Sequence, residues 1–168
     1  HVTYFFNGGL EDAFEGEERI LIPSPRVDTY DKIPEMSAHQ VTQKLLDRIK
    51  KKTFDFVVCN LANPDMVGHS GNLNATIKAV ETVDECLGKI YKECKKNGYS
   101  LVVTSDHGNA DYMFDNVLKE PVTCHSINPV PFIFCDKGVY TKNSGCLADI
   151  APSIIKILDL KKPKEMFG

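Results

Sequence analysis

Phe54-Asp55-Phe56-Val57-Val58-Cys59 is an apolar run of strand length. A half-exposed strand alternates apolar and polar side chains. A run of this kind instead reads as a strand covered on both faces, as in a parallel sheet. On its N-terminal side, Ser37 opens a helix. Ser37 and Gln40 have capping-box spacing, and Val41, Leu45, Leu46 and Ile49 recur on one face. Lys50, Lys51 and Lys52 complement the dipole at its C-terminal end. On the other side, residues 60–71 read as a loop. A second helix then runs over about residues 73–96. Leu73, Ile77, Val80, Leu87, Ile90 and Cys94 keep the helical spacing, and Asn97-Gly98 stops it.

The alternation continues. Residues 100–104 form a second buried strand that runs directly into Ser105-Asp106-His107-Gly108. A polar excursion leads to Ser126, residues 129–135 form a third strand, and residues 147–160 a last helix. Pro152 fits the first turn of that helix if Asp149 lies near its cap. Before the first helix, Val2-Thr3-Tyr4-Phe5-Phe6 is β-rich and stops at the turn signal Asn7-Gly8-Gly9. Arg19-Ile20-Leu21-Ile22 reads as a short strand halted by Pro23 and Pro25. The order predicts an α/β fold: a mostly parallel sheet with helices on both faces.

Composition narrows the functional classes. The chain has 168 residues, enough for one domain with a real core; 42% are hydrophobic and 26% charged. A formal charge of -3 offers no basic field for nucleic acid. No apolar run reaches the ~18 residues of a membrane span, and no signal peptide is evident. The six cysteines form no C-x-x-C pair and several lie in apolar runs, so they read as reduced thiols and point to a cytoplasmic protein. A chain that opens at His1 and passes at once into a buried-strand pattern reads as part of a longer polypeptide.

The chemistry concentrates at strand ends, where α/β sheets bind ligands. Asp65 and His69 stand four apart after the first buried strand, in Asn63-Pro64-Asp65-Met66-Val67-Gly68-His69. A carboxylate and an imidazole at this spacing can converge on one cation, and the oxygen–nitrogen pair suits Mn²⁺ or Zn²⁺. Asp106 and His107 are adjacent at the end of the next strand, with Gly108 free to turn tightly behind them. His125 precedes the third strand in a proline-set segment. Each alone could be a turn residue or a surface histidine. Together, three strand-end loops aim Asp and His at one sheet edge, as in a binuclear phosphoryl-transfer site with cations about 3.5–4 Å apart. His39, on the first turn of a helix, reads as solvated.

Eight stretches carry a resemblance: HVTYFFNGG (1–9), ILIPSPRVDTYD (20–31), PEMSA (34–38), NPDMVGHSG (63–71), DECLG (84–88), DHGNAD (106–111), HSINPVPFI (125–133) and LADIAPS (147–153). In order and spacing they closely resemble the cofactor-independent phosphoglycerate mutases of the alkaline phosphatase superfamily. The resemblance implies an alkaline phosphatase-like domain, of which this chain is the C-terminal part. On that resemblance, the family's N-terminal segment and inserted transferase-like domain are expected to lie outside this sequence. It implies that Asp65, His69 and His125 hold one Mn²⁺, and that Asp106 and His107 help hold a second at an incomplete site; Zn²⁺ or Co²⁺ also suit these ligands. The family interconverts 3-phosphoglycerate and 2-phosphoglycerate in glycolysis through a phosphoserine, without 2,3-bisphosphoglycerate. Its nucleophilic serine has no counterpart here; Ser105 is near but does not fit. The isolated chain is therefore expected to be inactive and the intact protein to be a monomeric isomerase.

Two other readings remain open. The ligand types recur in relatives such as phosphopentomutases and phosphodiesterases, and a truncated chain could serve as a non-enzymatic metal-binding module. A sheet lacking an N-terminal strand would also expose an edge, so self-association of the isolated chain is expected.

Overall fold

The computed structural model describes residues 2–136 and 144–167; the terminal His1 lies outside them. Residues 1–135 and 136–168 form two compact units.

The first unit is organised around a long helix. Helix α1 (Ala38–Lys51) begins where expected, but Ser37 does not cap it. The Ser37 hydroxyl instead donates to the Pro23 carbonyl at 2.7 Å, tying the preceding loop to the helix start. Helix α2 (Asn63–Gly68) occupies the segment expected to be loop, because Pro64 sits in its first turn, where a missing N–H is tolerated. Helix α3 (Leu73–Asn97) is capped by Asn72, whose side chain accepts from the Ala75 N–H at 3.2 Å. It ends as expected at Gly98, whose φ of 79° would strain a residue bearing a Cβ.

Helix α3 packs at two places. Toward its C-terminus, Ile90 and Cys94 meet Ile49 of α1, with Leu45, Leu46, Leu61, Tyr99 and Leu101 around them. Burying a side chain such as Ile49 is worth about 1.5–3 kcal/mol. Toward its N-terminus, Ala75 and Ala79 meet Val67 of α2, beside Tyr30 and Met36. Small side chains there let α2 approach closely, and α2 carries Asp65.

The strands depart from the expected pairing. Strand β1 (Val102–Thr104) pairs with β4 (Phe132–Phe134) in antiparallel register, Val103 opposite Ile133. Between them, in the stretch read as a polar excursion, β2 (Phe114–Asp115) and β3 (Glu120–Pro121) form a short antiparallel hairpin. Among the described residues no parallel ladder forms. Residues 54–59 run outside any assigned strand and are largely exposed, anchored where Tyr99 Oη donates to the Phe54 carbonyl at 2.6 Å. A run suited to a doubly covered strand becomes a ladder only when neighbouring backbones supply donors and acceptors, and the described residues supply none. The same cause applies to residues 19–22, which are outside any strand. Residues 2–6 form turns instead of a strand, with Gly9 N–H donating to the Tyr4 carbonyl at 2.9 Å.

In the second unit, a 3₁₀ turn (Leu147–Asp149) leads into α4 (Ile150–Ile157), with Pro152 in the first turn as expected. Cys59, Cys124 and Cys146 are exposed thiols, and Cys86 and Cys94 are buried. Among the described residues no helix is long and apolar enough to cross a membrane.

Candidate metal centre

Asp65 lies in the first turn of α2 and His69 caps its C-terminus, with the His69 N–H donating to the Asp65 carbonyl at 3.1 Å. Their spacing of four therefore works by helical geometry: residues four apart share one face. His69 Nε2 stands 3.2 Å from Asp65 Oδ1. The other ring nitrogen, His69 Nδ1, lies 2.7 Å from the Thr123 carbonyl. A carbonyl can only accept, so Nδ1 donates, and in the neutral ring Nε2 keeps its lone pair facing Asp65.

His107 follows β1, and His125 leads toward β4. Their segments are joined by an antiparallel bridge between Gly108 and Ser126, in which the Ser126 N–H donates to the Gly108 carbonyl at 2.9 Å. The bridge brings the residue before each partner into contact: the His107 and His125 rings stack with centroids 3.7 Å apart and planes 18° from parallel. His125 Nε2 then reaches both other donors, 3.2 Å from His69 Nε2 and 3.2 Å from Asp65 Oδ1.

Three donor atoms thus form a near-equilateral triangle. Ligands bonded at about 2.1 Å to one ion stand about 3.0–3.4 Å from each other in octahedral or tetrahedral geometry. The spacing and the mixed oxygen–nitrogen set suit one divalent cation. His107 joins from the side, its Nδ1 4.0 Å from Asp65 Oδ1, and Asp65, His107 and His125 each offer a donor atom within 4.8 Å of the other two. Asp106 stands apart. Its side chain is 77% exposed, and its Oδ2 lies 3.6 Å from His107 Nε2, on the opposite edge of that ring. Ser105 turns inward on its own loop, its hydroxyl donating to the His107 carbonyl at 2.6 Å.

Two more residues of the same loop, Asn109 and Asp111, support the cluster from behind. Asn109 is buried, and its Nδ2 donates to Asp65 Oδ1 at 2.9 Å. Asp111 accepts from the Asn128 amide at 2.6 Å and from the Ser126 hydroxyl at 2.8 Å. These bonds, that from Asn128 first, hold its carboxyl below the usual aspartate range. Both partners lie far along the chain, so no local pattern exposes the roles; the only signal was their place in the DHGNAD run. His39, read as solvated, is exposed but also places Nδ1 3.7 Å from the buried Cys86 thiol.

The model of the metalloenzyme superfamily matches residues 1–162. The chain is 54% identical over 172 residues to a 2,3-bisphosphoglycerate-independent phosphoglycerate mutase of Gracilaria tenuistipitata var. liui, across 100% of this chain and 34% of that protein. It is likewise 54% identical over 171 residues to the mutase of that name from Clostridioides difficile (strain 630), across 100% of this chain and 34% of that protein. Among solved structures, a Leishmania mexicana phosphoglycerate mutase, determined at low cobalt concentration, superposes with a TM-score of 0.89 and 31% identity. That match covers 99% of this chain and 34% of the other. The chain therefore spans about a third of the length of the relatives it matches, and its α/β fold is part of an alkaline phosphatase-like domain. With a donor cluster suited to a divalent cation and a family match over nearly its whole length, this chain belongs to the metalloenzyme superfamily.

Proposed function

We propose that the chain is the metal-holding C-terminal part of a phosphatase-like domain in a 2,3-bisphosphoglycerate-independent phosphoglycerate mutase. Asp65, His69 and His125 hold one divalent cation, Mn²⁺ by family preference and Co²⁺ or Zn²⁺ by ligand type. Asp106 and His107 contribute to a second site that other parts of the full-length protein complete. The observation that carries this reading is the triangle of Asp65 Oδ1, His69 Nε2 and His125 Nε2 at 3.2 Å.

The residues divide the work. Asp65 supplies negative charge, held in place by Asn109. His69 presents one nitrogen because the Thr123 carbonyl engages the other. His125 closes the triangle while stacked on His107. When bound, the cations supply Lewis acidity and charge compensation for a transferring phosphoryl group. The intact protein then interconverts 3-phosphoglycerate and 2-phosphoglycerate in the cytoplasm as a monomer, with the serine nucleophile outside this chain.

The test compares mutase turnover and metal content in a full-length protein carrying this sequence, with and without His125→Ala. Turnover that needs added metal and falls at least a hundredfold in the variant is the expected result. Sugar-phosphate turnover without phosphoglycerate turnover would favour a phosphopentomutase-like enzyme instead.

A further inference from the structure

His125 sits on an exposed segment with little packing of its own; Ile127, two residues on, is fully exposed. Something other than burial must fix this histidine against His69 and Asp65. Two links do so. One is the backbone bridge from Ser126 to Gly108. The other is Asp111, whose carboxylate accepts from Ser126 Oγ at 3.0 and 2.8 Å and from Asn128 Nδ2 at 2.6 Å. Asp111 belongs to the His107 loop and its donors to the His125 segment, so the carboxylate spans the junction that stacks the two rings.

The junction is tight. A Cβ on residue 108 would lie 2.3 Å from Ser126 Oγ and 2.5 Å from Asp111 Oδ1, so only glycine leaves room for both groups. Ser126 Oγ also accepts from the Asn128 N–H at 3.4 Å, closing a small network around one carboxylate. With these donors on it, Asp111 is accounted for as an anchor.

We propose that Asp111 is a positioning residue: through Ser126 and Asn128 it holds His125 in the register at which its ring stacks on His107 and its Nε2 faces Asp65 and His69. The proposal rests on the reading of these residues as metal ligands. Removing the carboxylate leaves the segment after His125 tied only by the backbone bridge, while the His69–Thr123 bond still holds the residues before it; the His125 ring then samples positions out of reach of the other two donors.

The experiment uses the chain and three variants, Asp111→Ala, Asp111→Asn and Ser126→Ala. Co²⁺ alone is the probe for calorimetry and for the visible d–d spectrum. In metal-free samples, the NMR cross-peak between the His107 and His125 rings reports the register directly. Asp111→Ala is expected to lose the cross-peak and to weaken Co²⁺ binding by about 10–100-fold, the usual cost of losing a partner behind a ligand. Asp111→Asn, which keeps one acceptor oxygen in the same shape, should recover part of both. A folded Asp111→Ala chain with the parental cross-peak and affinity overturns the proposal. If that variant does not fold, Ser126→Ala decides on the same two readouts. A parent chain that fails to bind Co²⁺ counts against the metal reading alone, and the cross-peak still judges the anchor.

Discussion

Gly68 and Asn109 occupy one another's space: a Cβ on residue 68 would lie 2.2 Å from Asn109 Oδ1 and 2.9 Å from its Cγ. Gly68 ends α2 and is buried, and the face it leaves bare receives the amide that holds Asp65. The absence of one methyl group on a helix thus lets a loop 41 residues away reach a proposed ligand.

Gly68→Ala should therefore be destabilising. Alanine improves helix propensity by up to about 1 kcal/mol, but overpacking a buried contact costs about 1–3 kcal/mol. The second effect wins, because Asn109 can retreat only by giving up Asp65. Urea unfolding should show a lower midpoint for the variant. Coupling is the sharper check: adding Asn109→Ala should restore the midpoint without restoring metal affinity. Two losses of stability that simply add would contradict the contact.

Asn109→Ala separates stability from binding. The variant loses a hydrogen bond to a carboxylate, worth about 1.5–3 kcal/mol. It also removes Asn109 Oδ1, which is buried with no hydrogen-bond partner among the described residues and carries a desolvation cost of similar size. Unfolding should change by under about 1 kcal/mol, the difference of those two. Metal affinity should fall by about 10–100-fold. A variant that loses much stability yet binds metal normally would show that Asn109 braces the fold and not Asp65.

The depressed carboxyl of Asp111 predicts a pH dependence with a definite sign. Its folded-state pKa lies below the ordinary 3.8 because Asn128 and Ser126 donate to the ionised form. The stabilisation is fully present above that ordinary value and is lost as pH falls through the lower folded-state pKa. The gap in stability between the parent chain and Asp111→Asn should thus be constant from neutral pH to about 5 and narrow below about 4. Parallel urea curves across that range check it; a gap that widens on acidification would contradict the assignment.

Thiol chemistry should follow the local environments. Cys59 is exposed at the surface, but the protein crowded around its sulfur desolvates the thiolate and, with the neighbouring Cys86, pushes the thiol up to about 11. Like Cys59, Cys124 and Cys146 are exposed, whereas Cys86 and Cys94 are buried, so the raised thiol and not access sets Cys59 apart. At mildly alkaline pH, alkylation followed by mass spectrometry should label Cys124 and Cys146 first and Cys59 far more slowly. Rapid labelling of Cys59 would contradict the raised thiol.

The elements that local pattern governs were legible in the sequence. The face of α1, the Gly98 stop and the place of Pro152 follow from periodicity, turn chemistry and missing donors, all written within a few residues. The face of α3 was legible only at Ile90 and Cys94: Leu73, Ile77 and Val80 are exposed, and Ala75, Ala79 and Cys86 are buried in their place, because close packing on α2 selects small side chains. Pairing was not legible. Residues 54–59 have the composition of a covered strand, but a ladder depends on neighbours, and β1 took β4 in antiparallel fashion. The candidate site was legible as residue types: Asp65, His69, His107 and His125 converge, while Asp106 stands apart. The geometry behind it was not: Asp65 and His69 meet on a helical turn, and Asn109 and Asp111 act on groups 44 and 15–17 residues away.

The proposed metal centre stands or falls with whether Asp65, His69 and His125 bind one divalent cation. Calorimetric titration of Mn²⁺ into the chain, beside His125→Ala, tests it most directly. One saturable site is expected in the parent chain, and its loss in a variant that remains folded by circular dichroism. Equal binding by both would contradict it, and so would a folded parent chain that binds no Mn²⁺ in a full-length protein as well.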